Sequence, residues 1–497
     1  MTSQTAFLGV DIGTSSSKGV LVSRAGVVLR SAERGHAVDR PASGHVEMDP
    51  EVWWREFVEL AGELTAPGDV GVAAVGVSGM GPCTVLADAQ GRAVRPAILY
   101  GIDTRSGRQI AELNDDLGEA EIVRRCGSAL SSQAVGPKIL WVREHEPERY
   151  AAANWLLMAS SLLVHRLTGE YVLDHHSASQ CTPMYDSIQL SWQEPWCRRV
   201  APDIELPRLT WPGEVAGVTA AVVAGIDAGT PVITGTIDAW SEALSVGAQG
   251  EGDLMLMYGT TMFLISTGST RVASSTMWGT VGAMPGTYNL AGGMATSGAI
   301  TAWLRELCGG QAYETLLAEA GESGPGARGL LMLPYFAGER TPIADPDARG
   351  ALVGLSLDHR RGDLYRAALE ATAFGVRHNI EALRSAGADP QRVVAVGGGT
   401  KGSLWTQIVS DVADVDQVVP RTTIGASYGA AFLAAGAVHD VSIAEWNPAL
   451  EIRHPCASTR PLYDDLYVSY RELYGATRTI THRLARRQST TMHKEHA

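Results

Sequence analysis

A chain of 497 residues with 45% apolar content exceeds what one hydrophobic core ordinarily supports, so two large domains are expected. Its 54 acidic residues outnumber 40 basic ones for a net charge of −14, with no Lys/Arg-rich block, which argues against nucleic acid or an anionic membrane as partner. No segment stays apolar for the roughly eighteen residues a membrane span needs, and the six cysteines show neither a C-x-x-C pair nor metal-ligand spacing, so a cytoplasmic protein with reduced thiols is expected.

In chain order, residues 7–22 place an apolar run, a small polar turn and a second apolar run in succession, the pattern of a tight β-hairpin. Asp11 closes the first strand and Gly13 relieves the turn. The hydroxyls and N–H groups of Thr14, Ser15 and their neighbours are left free to cradle an anion, with Lys18 beside them. A carboxylate next to such a cradle makes sense when a cation sits between it and a phosphate, which points to a metal-nucleotide site. The same turn also reads as an ordinary one whose Asp serves local hydrogen bonds.

A third strand is expected over 27–32. Asp49 followed by Pro50 predicts a helix whose Trp53, Trp54, Phe57 and Leu60 face a core. The run 70–77 reads as a buried strand ending at Ser78-Gly79-Met80-Gly81-Pro82, a glycine-rich break of the kind that borders ligands in α/β proteins. Past the next strand, Asp103 is suited to accept substrate hydroxyls and Arg105 to fix a second oxygen. A helix-capping Asp with a surface Arg fits the spacing equally. Further on, an apolar strand over 231–237 delivers Asp238 to the mouth of a helix, a good place for a catalytic carboxylate or simply for an N-cap, with Glu242 one turn later.

From residue 253 the opening pattern returns: strand, Gly259-Thr260-Thr261 turn, strand. This echo suggests a duplicated fold, and the glycines over 247–252 place the break, giving domains 1–246 and 247–485 and a disordered tail at 486–497. A long amphipathic helix is expected over 364–384. A buried strand over 393–396 then leads into Gly397-Gly398-Gly399-Thr400, where backbone can approach a flat or anionic ligand closely.

These segments, in this order, resemble the FGGY family of carbohydrate kinases over residues 6–475: D-I-G-T-S-S-S-K at Asp11, E-M-D-P-E-V-W-W at Glu47, P-K-I-L-W-V at Pro137, G-T-T at Gly259, L-P-Y-F-A-G-E-R-T-P at Leu333 and G-G-G at Gly397. The most specific is G-A-L-V-G-L, seven residues, then D-L-Y-R-A-A-L-E, from Gly350 to Glu370. The resemblance implies an α/β fold of two ribonuclease-H-like domains, as in actin and hexokinase, with the active site in an interdomain cleft. It implies ATP and Mg²⁺, the metal at Asp11 and Asp238. Nucleotide contacts are implied at Thr14, Ser15, Lys18, Gly259, Thr260, Gly398, Gly399 and Thr400, with Asp238 as general base. The acceptor, a small sugar, is expected at Met80, Gly81, Asp103, Arg105 and Asp238, and a homodimer is implied by analogy.

The best-matching branch phosphorylates D-xylulose to D-xylulose 5-phosphate, but several departures cluster on the sugar side. Met80-Gly81-Pro82 stands where that branch carries a Gln-Met-His turn. The acid at Asp103 comes one residue late and looks more like the V-D-x-R turn of autoinducer-2 kinases, Ala239 replaces an Asn or Gln, and Val135 replaces a Ser, Thr or Pro. Kinases for another ketose, a polyol, a sugar acid or an autoinducer-2-like diol therefore stay open as alternatives, and so, from another class, does an actin- or chaperone-like ATPase.

Overall fold

The computed structural model of the chain describes residues 4–495. It divides into two compact units: one comprises the chain up to Glu251 together with Ser269–Asn289 and Thr422–Pro448, the other Gly252–Gly268, Leu290–Arg421 and the segment from Ala449 onward.

In the first unit the strand Gln4–Ile12 lies at the centre of a mixed sheet. Ala6, Phe7, Leu8, Val10 and Ile12 are all fully buried, the near-continuous apolar run of a strand covered on both faces. It pairs antiparallel with Ser16–Ser23, which pairs antiparallel with Val28–Gly35, and parallel with Val70–Gly79 on its other side. Beyond that lie Pro231–Ile233 and, at the edge, Val215–Val218. The helix Pro50–Thr65 begins where the sequence places it. The Asp49 side chain accepts from Glu51 N–H, and Trp53, Phe57, Leu60 and Leu64 are buried against the sheet. Trp54 is only partly covered and stacks on Phe57, so one member of the tryptophan pair belongs to the core and the other flanks it.

The other face of this sheet is covered by a helix from far along the chain, Ala426–Val438. Its approach is close because Ser427, Ala430 and Ala431 meet glycines of the strands. A Cβ added at Gly9 would strike the carbonyl of Ser427, one at Gly76 that of Ala430, and one at Gly429 that of Ser241 in the helix Asp238–Ser245.

The second unit repeats the plan. Its strands Tyr288–Met294, Met262–Gly268, Asp253–Tyr258, Arg392–Val396, Gln417–Pro420 and Ala449–Arg453 follow one another across a sheet. Asp253–Tyr258 is antiparallel to its hairpin partner and parallel to Arg392–Val396, the same relations the opening strand has in the first unit. This is the expected duplicated α/β architecture. The long helix expected over 364–384 runs Arg361–Ser385, with Leu369, Ala373, Val376, Ile380 and Leu383 buried. The closing helix runs Arg460–Glu495, so the backbone is helical over most of the stretch where composition pointed to a disordered tail, while residues 496 and 497 lie outside the described residues. No helix among the described residues is long and apolar enough to cross a membrane. All six cysteines are free thiols.

Candidate active site

In the first unit, sheet register gathers three acids. Asp11 lies near the C-terminal end of its strand opposite Ser78, whose hydroxyl donates to Asp11 Oδ1 at 2.8 Å. Ser78 in turn pairs with Thr236, and two residues past Thr236 the chain enters the helix Asp238–Ser245 with Asp238 as its first residue. Asp11 and Asp238 thus come from strands that flank Val70–Gly79 on its two sides and meet at the carboxyl edge of the sheet, the usual placement of reactive groups in an α/β sheet. Asp238 is inside the helix rather than its N-cap, which is Ile237. Its Oδ1 accepts from Ala239 N–H at 2.7 Å, and its Oδ2 makes no hydrogen bond among the described residues.

Burial holds the Asp11 carboxyl well above the ordinary carboxylate range, and the neighbouring Asp238 and Glu242 push it further, against the hydroxyl of Ser78 and the charge of Lys18. Asp238 is raised chiefly by burial. Glu242, one turn along the same helix, is pushed up to about 7 by burial and by the charge of Asp238. Lys18, cross-strand from Asp11 and half exposed, opposes Asp11 and Glu242 and lies 3.8 Å from Glu33. The buried Asp11 and the partly buried Asp238 and Glu242, near one half-exposed lysine, form an oxygen-only donor set that suits a hard divalent cation. No group of three acidic, His or Cys ligands surrounds one point among the described residues, so such a cation would draw most of its ligands from phosphate and water.

The phosphate turn is braced from behind. Gly13 N–H donates to the Ser16 carbonyl, and His36 bridges the Gly13 carbonyl at 3.0 Å and Glu56 at 2.8 Å, with Ser17 Oγ donating to the same Glu56 at 2.6 Å. Ser15 is exposed, and its carbonyl accepts from His36 N–H. Thr14 Oγ1 lies 2.8 Å from the Tyr100 hydroxyl.

On the expected acceptor side the structure redistributes the roles. Met80 is 1% exposed and packs in the core, its N–H donating to the Ile12 carbonyl, so the side chain is a floor beneath the site. Gly81 is the partly open position of that turn, and a Cβ there would meet Ile237 at 2.6 Å. Asp103 and Arg105 do form a pair, but with each other: Asp103, 0% exposed, accepts from Arg105 Nε and Nη2 and from Val46 N–H, while Arg105 also reaches Glu47 at 2.6 Å and lies over Trp141. They lock the loop that precedes them. The physical reason is complementarity: a guanidinium fork beside a buried carboxylate satisfies it more completely than a sugar hydroxyl would. The loop they hold, Tyr100 to Ile102, is laced to the segment behind it by Lys138 Nζ to Tyr100 O, Gly101 N–H to Gln133 Oε1 and Ser132 Oγ to Gly101 O. Burial lowers Lys138 to about 8.

In the second unit, a cavity of about 660 Å³ opens beside the turn after Asp253–Tyr258. Gly259 and Thr260 form one wall, docked by their carbonyls on the N–H groups of Ser297, Gly298 and Ala299 at the start of the helix Gly298–Leu307. Gly398 and Gly399, at the end of the adjacent parallel strand, line it too, together with Tyr258, Tyr365, Leu369 and Trp405. Gly397 has φ +94°, and a Cβ on Gly399 would meet the Trp405 ring at 2.8 Å, so only glycine keeps this wall thin. A flat aromatic ligand of nucleoside size fits such a space. Thr400 does not line it; its hydroxyl donates to the Gly397 carbonyl at 2.8 Å and closes the turn. Sequence reasoning missed Tyr258, Tyr365 and Trp405. Nothing local distinguishes them from core aromatics, since Tyr258 OH and Trp405 Nε1 bond Gln417 and Thr372 far along the chain.

Residues 6–245 match the FGGY family of carbohydrate kinases, N-terminal domain, and residues 254–438 the C-terminal domain of the same family. The chain therefore belongs to the FGGY family of carbohydrate kinases and is a sugar kinase, and the actin- or chaperone-like ATPase alternative gives way. It is similar to a xylulose kinase of Escherichia coli (strain K12), 30% identical over 485 residues covering 94% of this chain and 98% of that one. It is also 32% identical over 460 residues to a glycerol kinase of Nocardia farcinica, covering 86% and 89%. The crystal structure of xylulose kinase from Rhodospirillum rubrum superposes with a TM-score of 0.89 at 31% identity, covering 96% of this chain and all of that one.

Proposed function

We propose that this kinase transfers the terminal phosphoryl group of MgATP to a hydroxyl of a small ketose, with D-xylulose as acceptor and D-xylulose 5-phosphate as product. The observation that carries the proposal is the Asp238 carboxyl: partly buried, raised above the ordinary range, with one oxygen unbonded, and close enough to Asp11 to raise that carboxyl in turn. The acceptor hydroxyl gives its proton to Asp238 as its oxygen bonds to phosphorus. The bond between phosphorus and the bridging oxygen breaks, and that oxygen leaves with ADP. A base whose affinity for the proton is raised works better near neutral pH than an ordinary carboxylate.

Asp11, with Asp238, would hold Mg²⁺, which neutralises charge on the phosphates and on the departing oxygen. Thr14, Ser15 and Lys18 offer donors and positive charge from the first turn. Gly259 and Thr260 offer a thin wall to the phosphates, and Gly398 and Gly399 a thin wall to the adenosine. On this reading residues 1–246 supply the base and the acceptor contacts, and 247–485 the nucleotide. A cytoplasmic setting and a homodimer belong to the same reading and rest on the family resemblance.

The support for D-xylulose comes from the relatives named above; the turn Met80-Gly81-Pro82, which lacks an imidazole, favours a second reading with a different ketose or polyol as acceptor. A coupled ADP-release assay over ketoses, polyols and sugar acids separates the two. Strong stimulation by D-xylulose alone supports the first, stimulation by another acceptor the second, and stimulation by none would overturn both.

A further inference from the structure

We infer that the stretch from Val353 to Arg360, in the second unit, is the surface through which two copies of this chain associate about a two-fold axis. Three observations carry the inference, and none depends on which acceptor the kinase uses. The first is exposed apolar surface. Val353 is 40% exposed, Leu355 61%, and Leu357 fully exposed, at alternate positions of one stretch. The tract continues at its root: a Cβ on Gly350 would meet the Phe336 ring at 2.5 Å, and that ring packs edge-on, at 5.0 Å, against Trp303, itself 44% exposed. Single exposed leucines are ordinary, whereas a tract of this kind marks an association surface.

The second observation is that the leucines are presented by a built turn. Ser356 N–H donates to His359 Nδ1 at 2.9 Å, and the other ring nitrogen, Nε2, donates to the Arg328 carbonyl at 3.2 Å. Gly354, at φ +91°, lets the chain lie on the Gly329 carbonyl, which a Cβ there would meet at 2.3 Å. Ordering of this stretch is therefore not left to the moment of binding. The third is charge. Asp358 and Arg360 follow Leu357, both exposed and neither in an ion pair among the described residues, while Arg361 is spent on Glu319. In a two-fold contact the patch faces itself, so Asp358 of one copy meets Arg360 of the other on both sides of the axis. From Gly350 to Arg360 one acid balances one base in a chain of net charge −14, so repulsion between copies is least here. An acid and a base set beside one apolar tract match a second copy better than a partner charged with a single sign.

The test uses the full chain. Sedimentation velocity of the parent from about 1 to 50 μM should show a species of twice the chain mass. Leu355→Asp with Leu357→Asp should raise the dimer dissociation constant about a hundredfold or more while the circular dichroism spectrum stays that of the parent. Asp358→Arg alone sets two bases together across the axis, and Arg360→Asp alone two acids; each should raise the constant about tenfold. The double variant Asp358→Arg with Arg360→Asp restores opposite charges and should return to within about threefold of the parent, a recovery that a merely structural role would not give. A parent that stays monomeric over this range, a dimer that survives both leucine substitutions, or a double reversal no tighter than the single ones would each overturn the inference. So would a mass that keeps growing with concentration, because a two-fold contact closes on itself.

Discussion

Asp11, Asp238 and Glu242 place function and stability in opposition at the level of single residues. Each is raised, so over a range of pH the folded chain keeps protons that the unfolded chain releases, and stability falls as pH rises through that range. For Glu242 the window runs from the ordinary value of 4.5 to about 7. In the absence of nucleotide and metal, Glu242→Gln is expected to flatten the loss of thermal stability across this window and to raise the midpoint at pH 7 by roughly 2–4 °C, the shift that about 1 kcal/mol produces. Calorimetry of parent and variant at a series of pH values checks this, and parallel curves would contradict it. Asp238→Asn is isosteric and is expected to cut sugar phosphorylation by roughly 10²–10⁴ while nucleotide affinity changes little, as calorimetric titration with ADP would show. The first of these acids was legible because an apolar strand running into D-x-G-T points at its own C-terminal edge, and the second because the same pattern recurs before Ala239. The tie between Tyr100 and Thr14 was not legible, since neither residue's neighbours in sequence announce a partner 86 positions away.

Among the elements, the helix Ala426–Val438 decides most with the smallest side chains. It rests on Gly9 and Gly76 of two central strands and on the helix that presents Asp238, where Gly429 faces the Ser241 carbonyl and Ser241 Oγ bonds the Ala426 carbonyl at 2.8 Å. Gly429→Ala forces backbone apart and is expected to destabilise by about 1–3 kcal/mol and to lower kcat by moving Asp238; chemical denaturation and steady-state kinetics on one preparation check both parts. In the second unit, Gly399→Ala drives a methyl into the Trp405 ring and is expected to raise the KM for ATP about tenfold or more with little effect on stimulation by acceptor. The sequence made the glycine turns readable as places of close approach. It concealed which elements press on them, because a helix with apolar residues on every side gives no indication of the partner it covers.

At the scale of the whole molecule, the first unit is discontinuous: it is completed by Ser269–Asn289 and Thr422–Pro448. A break near 245–252 is visible in the glycines there, but the return of later segments is a non-local fact, set by the fit of Ala426–Val438 on the sheet, that no window of sequence carries. A fragment ending at Glu251 should accordingly expose the glycine faces of its central strands, bind a hydrophobic dye and aggregate. The same fragment carrying residues 422–448 on a flexible linker should be more soluble and show a cooperative melt. Equal behaviour of the two would argue that the returning helix is dispensable.

The same discontinuity sets a timetable on the ribosome. After Glu251 emerges, about 170 further residues must be made before Thr422 appears, roughly ten to thirty-five seconds at ordinary elongation rates. For that interval the nascent opening domain stands with an uncovered glycine-lined sheet face and tightly clustered acids. Its exposure to chaperones and proteases during synthesis is therefore governed by translation speed across the second half of the message.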